Sequence, residues 1–122
     1  VRVGDGIRRA GEIRFGGSRH MARALMAATA ADPGVRCVMN LRFSEETVKR
    51  LESFGLEMGS FDRTNEPDSV SSMEWGTGEA IKDIGHVPDV IYDRGGTGKE
   101  PMVRVLGRDP QDVLGKIAGL MM

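Results

Sequence analysis

Five consecutive residues, Gly16-Gly17-Ser18-Arg19-His20, hold the clearest chemical signal in the chain. Two glycines let the oxygens of an anion approach the backbone closely. Ser18 is a good helix N-cap. Free N–H groups at a helix start, aided by the helix dipole, attract anions. Arg19 adds charge, and His20 adds a proton donor. The segment lacks the Gly-Lys-Ser/Thr end of a Walker A loop. The same residues also describe a plain capped helix after a tight turn, and physics alone leaves both readings open.

A second loop, Gly95-Gly96-Thr97-Gly98-Lys99-Glu100-Pro101, has the glycines and the lysine to cradle a phosphate, or to serve as a connector between strands. Asp62 and Asp93 have the hard oxygens that Mg²⁺ takes. They equally suit turns at strand ends, with Arg63 beside Asp62. Glu74 is explained by a capping box, Ser71-Ser72-Met73-Glu74. Trp75 suits a core or an interface, and His86 precedes a turn that faces solvent. The single Cys37 lies in an apolar run and reads as an inert buried thiol. No Cys/His spacing suits zinc, and the Ser-x-x-Lys and Gly-x-Ser-x-Gly hydrolase motifs are absent.

These residues need elements to place them. Glu12 to Phe15 reads as a short strand, and Ser18 opens a helix with Met21, Leu25 and Ala28 on one face. Asp32-Pro33-Gly34 stops it. Val35 to Phe43 reads as a buried strand. A helix capped by Ser44 follows, with Val48, Leu51 and Phe54 inward and Gly55 at its end. Leu56 to Phe61 reads as a strand and residues 64–71 as a loop. The capping box then opens a helix with Ala80, Ile81 and Ile84 inward. Strands are expected over Pro88–Asp93 and Met102–Leu106. A last helix, capped by Asp109 with Pro110 at its first position, turns Val113, Ile117 and Leu120 inward. Alternation of this kind implies a layered α/β fold with a mainly parallel or mixed sheet. Ligands of such sheets bind beyond the carboxyl ends of the strands. Ser18, Arg19 and His20, Asn40 and Arg42, Asp62 and Arg63, and Asp93 and Arg94 fall at those expected ends.

The 122 residues suit one domain, which can bury a core without metals or disulfides. The net charge of −1 argues against an electrostatic nucleic-acid binder, and one Trp and one Tyr make a poor base-stacking platform. No apolar run is long enough for a membrane span, and no segment reads as a signal peptide. A reducing cytoplasm is the expected setting. The chain begins at Val1, which suggests a domain from a longer protein.

Several segments together resemble one family. Phe15 to Ala24 is similar to the "FGxSxHxAR" segment of ThiN-type thiamine-phosphate synthases, and Met39-Asn40-Leu41-Arg42-Phe43-Ser44 to its "MNI(R/K)YS" strand end. Ser60-Phe61-Asp62-Arg63, Met73-Glu74-Trp75-Gly76, Val87 to Asp93 and Gly98 to Gly107 resemble further segments, in the same order. The resemblance implies a single domain over residues 1–122, a three-layer α/β/α fold like the class II aldolase and adducin head domains, and assembly into homo-oligomers. It implies that hydroxymethylpyrimidine pyrophosphate and hydroxyethylthiazole phosphate are joined to give thiamine phosphate and pyrophosphate. A hydroxymethylpyrimidine phosphate kinase is often fused upstream. The rival implication is a non-catalytic sensor of thiamine phosphate behind a helix-turn-helix domain.

By the resemblance, the catalytic His is His20. The pattern's Arg belongs to a Gly-Arg-Ile/Val segment that aligns immediately before Val1. Gly16, Gly17, Ser18 and Arg19 are expected to hold phosphate or pyrophosphate, with Arg42, Arg63 and Lys99 as secondary anion contacts. Asn40 is expected to read a ring edge or a phosphate, and Asp62 and Asp93 to complete the substrate site. Mg²⁺ enters with the pyrophosphate, held by few protein carboxylates; Gly96 stands where an acidic residue is expected. A class II aldolase-like lyase would need a cluster of zinc-binding histidines, and the chain has only His20 and His86.

Overall fold

The computed structural model describes residues 19–62, 72–96 and 100–121, the side chains of 19–22, 72–74 and 121 excepted. The expected strand at Glu12–Phe15 and everything before Arg19 lie outside these residues. Along the described chain run α1 (Arg19–Ala31), β1 (Cys37–Arg42), α2 (Glu45–Ser53), β2 (Met58–Ser60), α3 (Ser72–Ile84), β3 (Val90–Asp93), β4 (Met102–Gly107) and α4 (Pro110–Lys116), and then a 3₁₀ turn over Ala118–Met121.

Period-two patterning of the strands sets the two layers that cover the sheet. Cys37, Met39 and Leu41 of β1 point one way, with Val90 of β3 and Val103 and Val105 of β4. On that face they meet Val48 and Leu51 of α2, Val113 of α4 and Ile117 at the end of α4. Val38, Ile91 and Leu106 point the other way, against Ala28 of α1 and Ala80 and Ile81 of α3. The small alanines let α1 and α3 lie close to the sheet and to each other. Helices thus cover both faces of one four-stranded sheet.

The strand order is β1-β4-β3-β2. β1 and β3 both pair antiparallel with β4, and β2 pairs parallel with β3. The sheet is therefore mixed, and β1, β2 and β3 all end at the same edge. β4 begins there, with Met102 opposite both Arg42 and Asp93.

Local signals explain the helix boundaries. Ser44 accepts a hydrogen bond from the Thr47 N–H, and Asp109 accepts one from the Asp112 N–H. The acidic Glu45 and Glu46 lie in the first turn of α2, as the helix dipole favours. Phe54 caps the end of α2, and Gly55 follows with φ of +84°, a conformation that glycine adopts without steric cost.

Three expectations are adjusted. Phe54, expected to face inward, is an exposed hydrophobic at the end of α2. The strand expected over Leu56–Phe61 is only Met58–Ser60, because the Glu57 N–H is taken by the Asp89 carboxylate at 2.8 Å. The last helix does not run on to Leu120. It stops at Lys116, and the 3₁₀ turn that follows brings Gly119 against the Phe54 ring, where a Cβ would overlap the ring atoms. Arg50 holds that turn by donating to the Gly119 carbonyl at 2.8 Å.

Candidate functional site

The common edge of β1, β2 and β3 collects polar residues from separate parts of the chain. Asn40 and Arg42 stand at the end of β1, Asp62 just past β2, and Asp93 and Arg94 at the end of β3. α1 and β1 are joined by a short turn, so α1 runs antiparallel to β1. Thirteen residues of helix and six of strand both span about 20 Å. The first turn of α1, with Arg19 and His20, therefore starts at the level where β1 ends. The backbone of that turn is described; the side chains of Arg19 and His20 are not. Gly16, Gly17, Ser18, Arg63 and Lys99 lie outside the described residues, so the expected phosphate turn is seen only at its C-terminal margin.

On the sheet face beneath α1 and α3, the edge carries a buried polar group in place of an apolar core. Arg104, in the middle of β4, is 1% exposed. It pairs in register with Asn40 on one side and Ile91 on the other, which places Asp93 diagonally across from it. Arg104 Nη1 stands 3.6 Å from Asp93 Oδ2, with both side chains almost fully enclosed. Its Nη2 reaches the Met102 sulfur at 3.2 Å. The other Asp93 oxygen, Oδ1, accepts the Gly95 N–H at 2.8 Å. Asp93 thus ties the sheet to the loop that follows it, and Gly95 takes a φ of +75° there. Among the described residues, Asn40 Oδ1 and Thr77 Oγ1 have no hydrogen-bond partner, although both atoms are buried. Buried oxygens left so are costly.

Two hollows flank this group. One of about 330 Å³ lies between β1 and the start of β4, lined by Asn40, Arg42, Phe43 and residues 100–102. Another, of about 520 Å³, lies beyond β2 and β3. Phe61, Trp75 and Tyr92 form aromatic parts of its wall, and Asp62, Glu79, Asp83 and Asp93 supply carboxylates. Phe61 and Trp75 meet edge to face, with ring centres 6.1 Å apart. This contact requires Gly76, because any Cβ there would overlap the Phe61 ring. Arg94 also lines the hollow, but its guanidinium makes a two-point contact with Glu45, at 2.8 and 3.0 Å. It also lies over the Tyr92 ring, 5.3 Å from the centre. Hydrogen bonds that the Arg94 guanidinium donates to Glu45 and then to Tyr92 push it above its ordinary value, and Arg94 holds the Glu45 carboxyl below its own.

Two expected features sit elsewhere. His86 is exposed, and its Nε2 meets the Glu57 carboxylate at 2.6 Å. Cys37 is buried at the far end of β1, where burial and then Asp109 and Asp112 raise its thiol. Among the described residues, no group of three or more His, Cys, Asp or Glu converges to hold a metal ion. No described helix is long and apolar enough to cross a membrane.

Arg104 and the aromatic wall were not foreseen as parts of the site. Arg104 had a signal: an arginine at an inward position of an otherwise apolar strand, Met102-Val103-Arg104-Val105-Leu106. Trp75, Glu79 and Asp83 had one too, since their spacing of four places them along one stripe of α3.

Comparison with known proteins identifies the family. The model of the family "Thiamine-phosphate synthase ThiN" matches residues 1–118. The chain is 48% identical over 107 residues to the "Bifunctional thiamine biosynthesis protein ThiDN" of Methanocaldococcus jannaschii, covering 88% of this chain and 25% of that protein. It is 43% identical over 104 residues to the "Thiamine-phosphate synthase ThiN" of Methanothermobacter thermautotrophicus, covering 81% of this chain and 55% of that one. The chain thus spans a quarter of the first relative and about half of the second. Among solved structures, the C-terminal domain of protein MJ0236 superposes with a TM-score of 0.74 at 44% identity, over 91% of this chain and 59% of that one. The C-terminal domain of a phosphomethylpyrimidine kinase superposes with a TM-score of 0.78 at 37% identity, over 90% and 65%. The chain belongs to the ThiN family of thiamine-phosphate synthase domains.

Proposed function

We propose that this domain joins hydroxymethylpyrimidine pyrophosphate to hydroxyethylthiazole phosphate, releasing pyrophosphate and forming thiamine phosphate. The observation that carries this reading is the shared edge. There the first turn of α1 stands at the level of Asn40, Arg42 and Asp93, from strands that end together, in a chain of this family.

The reaction breaks the bond from the pyrimidine's methylene carbon to a pyrophosphate oxygen. The thiazole nitrogen supplies the electron pair of the new C–N bond, and pyrophosphate leaves with the old one. No proton must be removed from the nitrogen. The protein's task is therefore to position two rings and to stabilise the leaving anion. Backbone N–H groups of the turn expected from Gly16 to Ser18 would suit that anion, with Arg19 and His20 next in sequence. His20 donates a hydrogen bond or a proton to the leaving oxygen. Arg42 and Lys99 supply further positive charge, with Arg63 as another contact, and Asn40 offers its amide to a ring edge or a phosphate. Mg²⁺ enters as part of the pyrophosphate substrate.

The reading includes a fused upstream kinase, by analogy with the bifunctional relative, and a fold kinship to the class II aldolase and adducin head domains. Two helical layers around a mixed sheet support that kinship.

The test is direct. With the natural upstream segment in place, the protein should convert the two precursors to thiamine phosphate and pyrophosphate, and His20→Ala should abolish turnover while leaving the fold intact. Near-normal synthesis by that variant would overturn the role of His20. Tight binding of thiamine phosphate with no synthesis by the unaltered protein would identify a sensor instead.

A further inference from the structure

The two hollows at the strand edge differ in chemistry, and the difference concerns the ring rather than the phosphate. The larger one is a groove of about 520 Å³ with aromatic surface from Phe61 just past β2, Trp75 on α3 and Tyr92 on β3. Trp75 and Glu79, then Glu79 and Asp83, are each four residues apart on α3. Ring and carboxylates therefore follow one another along a single helical stripe that lines the groove. Asp62 faces the groove from the end of β2. The basic group described at its wall is Arg94, whose guanidinium is engaged by Glu45 at 2.8 and 3.0 Å. A phosphate in this groove would meet the carboxylates of Glu79 and Asp83 along α3. A flat cation would meet aromatic walls and negative charge together, the pairing by which proteins recognise heteroaromatic cations. The Tyr92 face already holds one flat cation, the Arg94 guanidinium, 5.3 Å from the ring centre.

We propose that the Phe61–Trp75–Tyr92 groove is the subsite for a cationic heteroaromatic ring, the thiazolium that thiamine phosphate carries, and that its phosphate lies outside the groove. This rests on the function proposed above, which supplies the ring. It adds that Glu79 and Asp83 favour the ring as it gains its positive charge. Glu79 and Asp83 follow one another along α3 at the groove wall, which suits a delocalised charge.

Trp75 is the only tryptophan in the chain, so its fluorescence reports on this groove alone. The 122-residue chain would be titrated with thiamine, which has the cationic ring and no phosphate, with neutral hydroxyethylthiazole, and with inorganic pyrophosphate. Thiamine should quench Trp75 saturably, hydroxyethylthiazole should bind more weakly, and pyrophosphate should leave the emission unchanged. The double variant Glu79→Gln/Asp83→Asn should weaken thiamine about tenfold, as expected for two partly solvated charge contacts. Its circular dichroism and its pyrophosphate affinity by calorimetry should not change. The inference is overturned if pyrophosphate quenches Trp75 as thiamine does, or if the double variant binds thiamine with unaltered affinity. Synthesis is not the readout, so a protein that binds thiamine as described but makes none would fail the synthase reading and leave this one standing.

Discussion

The two faces of the sheet use the same strands differently. Beneath α2 and α4, the buried inward residues from Cys37 to Val105 are all apolar, and Tyr92 at the end of β3 packs against them half-buried. Beneath α1 and α3, the apolar contacts stop short of the edge, and Asn40, Arg104, Asp93 and Thr77 take over. Neighbours on β4 show the contrast best: Val105 joins the dry core, and Arg104 joins the polar group one residue away. One face makes the fold, and the other gives up part of its core where three strands end together. Buried polar groups earn no stability by themselves, since desolvation offsets most of what pairing returns. Their retention at this edge fits a site that needs fixed dipoles more than it needs packing.

The largest expected effect breaks the polar face. Asp93→Ala removes the carboxylate 3.6 Å from an enclosed guanidinium and also the acceptor of the Gly95 N–H. Chemical denaturation should show a loss of about 3–5 kcal/mol. Replacing the pair together, Asp93→Leu with Arg104→Met, should recover much of that loss and still fail in synthesis. On the apolar face, Leu51→Ala should cost a comparable ~2–5 kcal/mol by leaving a cavity. Any synthesis it loses should return once the protein is kept folded by lower temperature. If Leu51→Ala and the double replacement impair synthesis alike when both are folded, the two faces do not divide the work as described.

Much of this division was legible in the sequence. The order of strands and helices followed from period and caps, and Ser44, Asp109 and Pro110 marked helix starts correctly. The idea that polar residues gather at strand ends placed Asn40, Arg42, Asp62 and Asp93 at one edge before any coordinates. The rest depended on pairing. That β4 runs against its neighbours, and so brings Arg104 between Asn40 and Asp93, is a property of register, which hydrophobic period does not fix. The aromatic groove is also a tertiary fact. Phe61 and Trp75 lie on separate elements, and only a glycine at position 76 lets them meet.

That glycine offers a smaller, more local test of the polar side. Gly76→Ala places a methyl group where the Phe61 ring now lies. Phe61 must turn away or α3 must move, at a cost of about 1–3 kcal/mol for overpacking. The expected result is a modest drop in melting temperature, with Trp75 emission shifted to the red as its edge contact with Phe61 is lost. Thiamine affinity should fall with it. An unchanged emission maximum would mean that the two rings do not depend on this close approach.

The smallest effect belongs to the opposite edge, where the contacts stabilise the fold and touch no candidate ligand residue. Asp89 accepts the Glu57 N–H at 2.8 Å, and Lys116 Nζ lies 2.9 Å from its other oxygen. Partial burial works to raise its carboxyl. The Glu57 N–H and Lys116 outweigh that burial, and the net direction is downward. A carboxyl held lower in the folded state than in the unfolded chain stabilises the fold above its unfolded value and stops doing so as acid protonates the folded form. Stability should therefore hold at neutral pH and fall as the pH drops through and below the ordinary carboxylate range. In Asp89→Asn the acid-dependent part of that loss should shrink, by no more than about 1 kcal/mol because the pair is partly solvated. Melting curves of the two proteins from neutral pH down to pH ~3 would show it, since the ordinary Asp value is near 4. Parallel curves would mean that Asp89 adds nothing to the acid sensitivity of this edge. The pH dependence of synthesis should be the same in both proteins, because this network lies at the end of the strands away from His20.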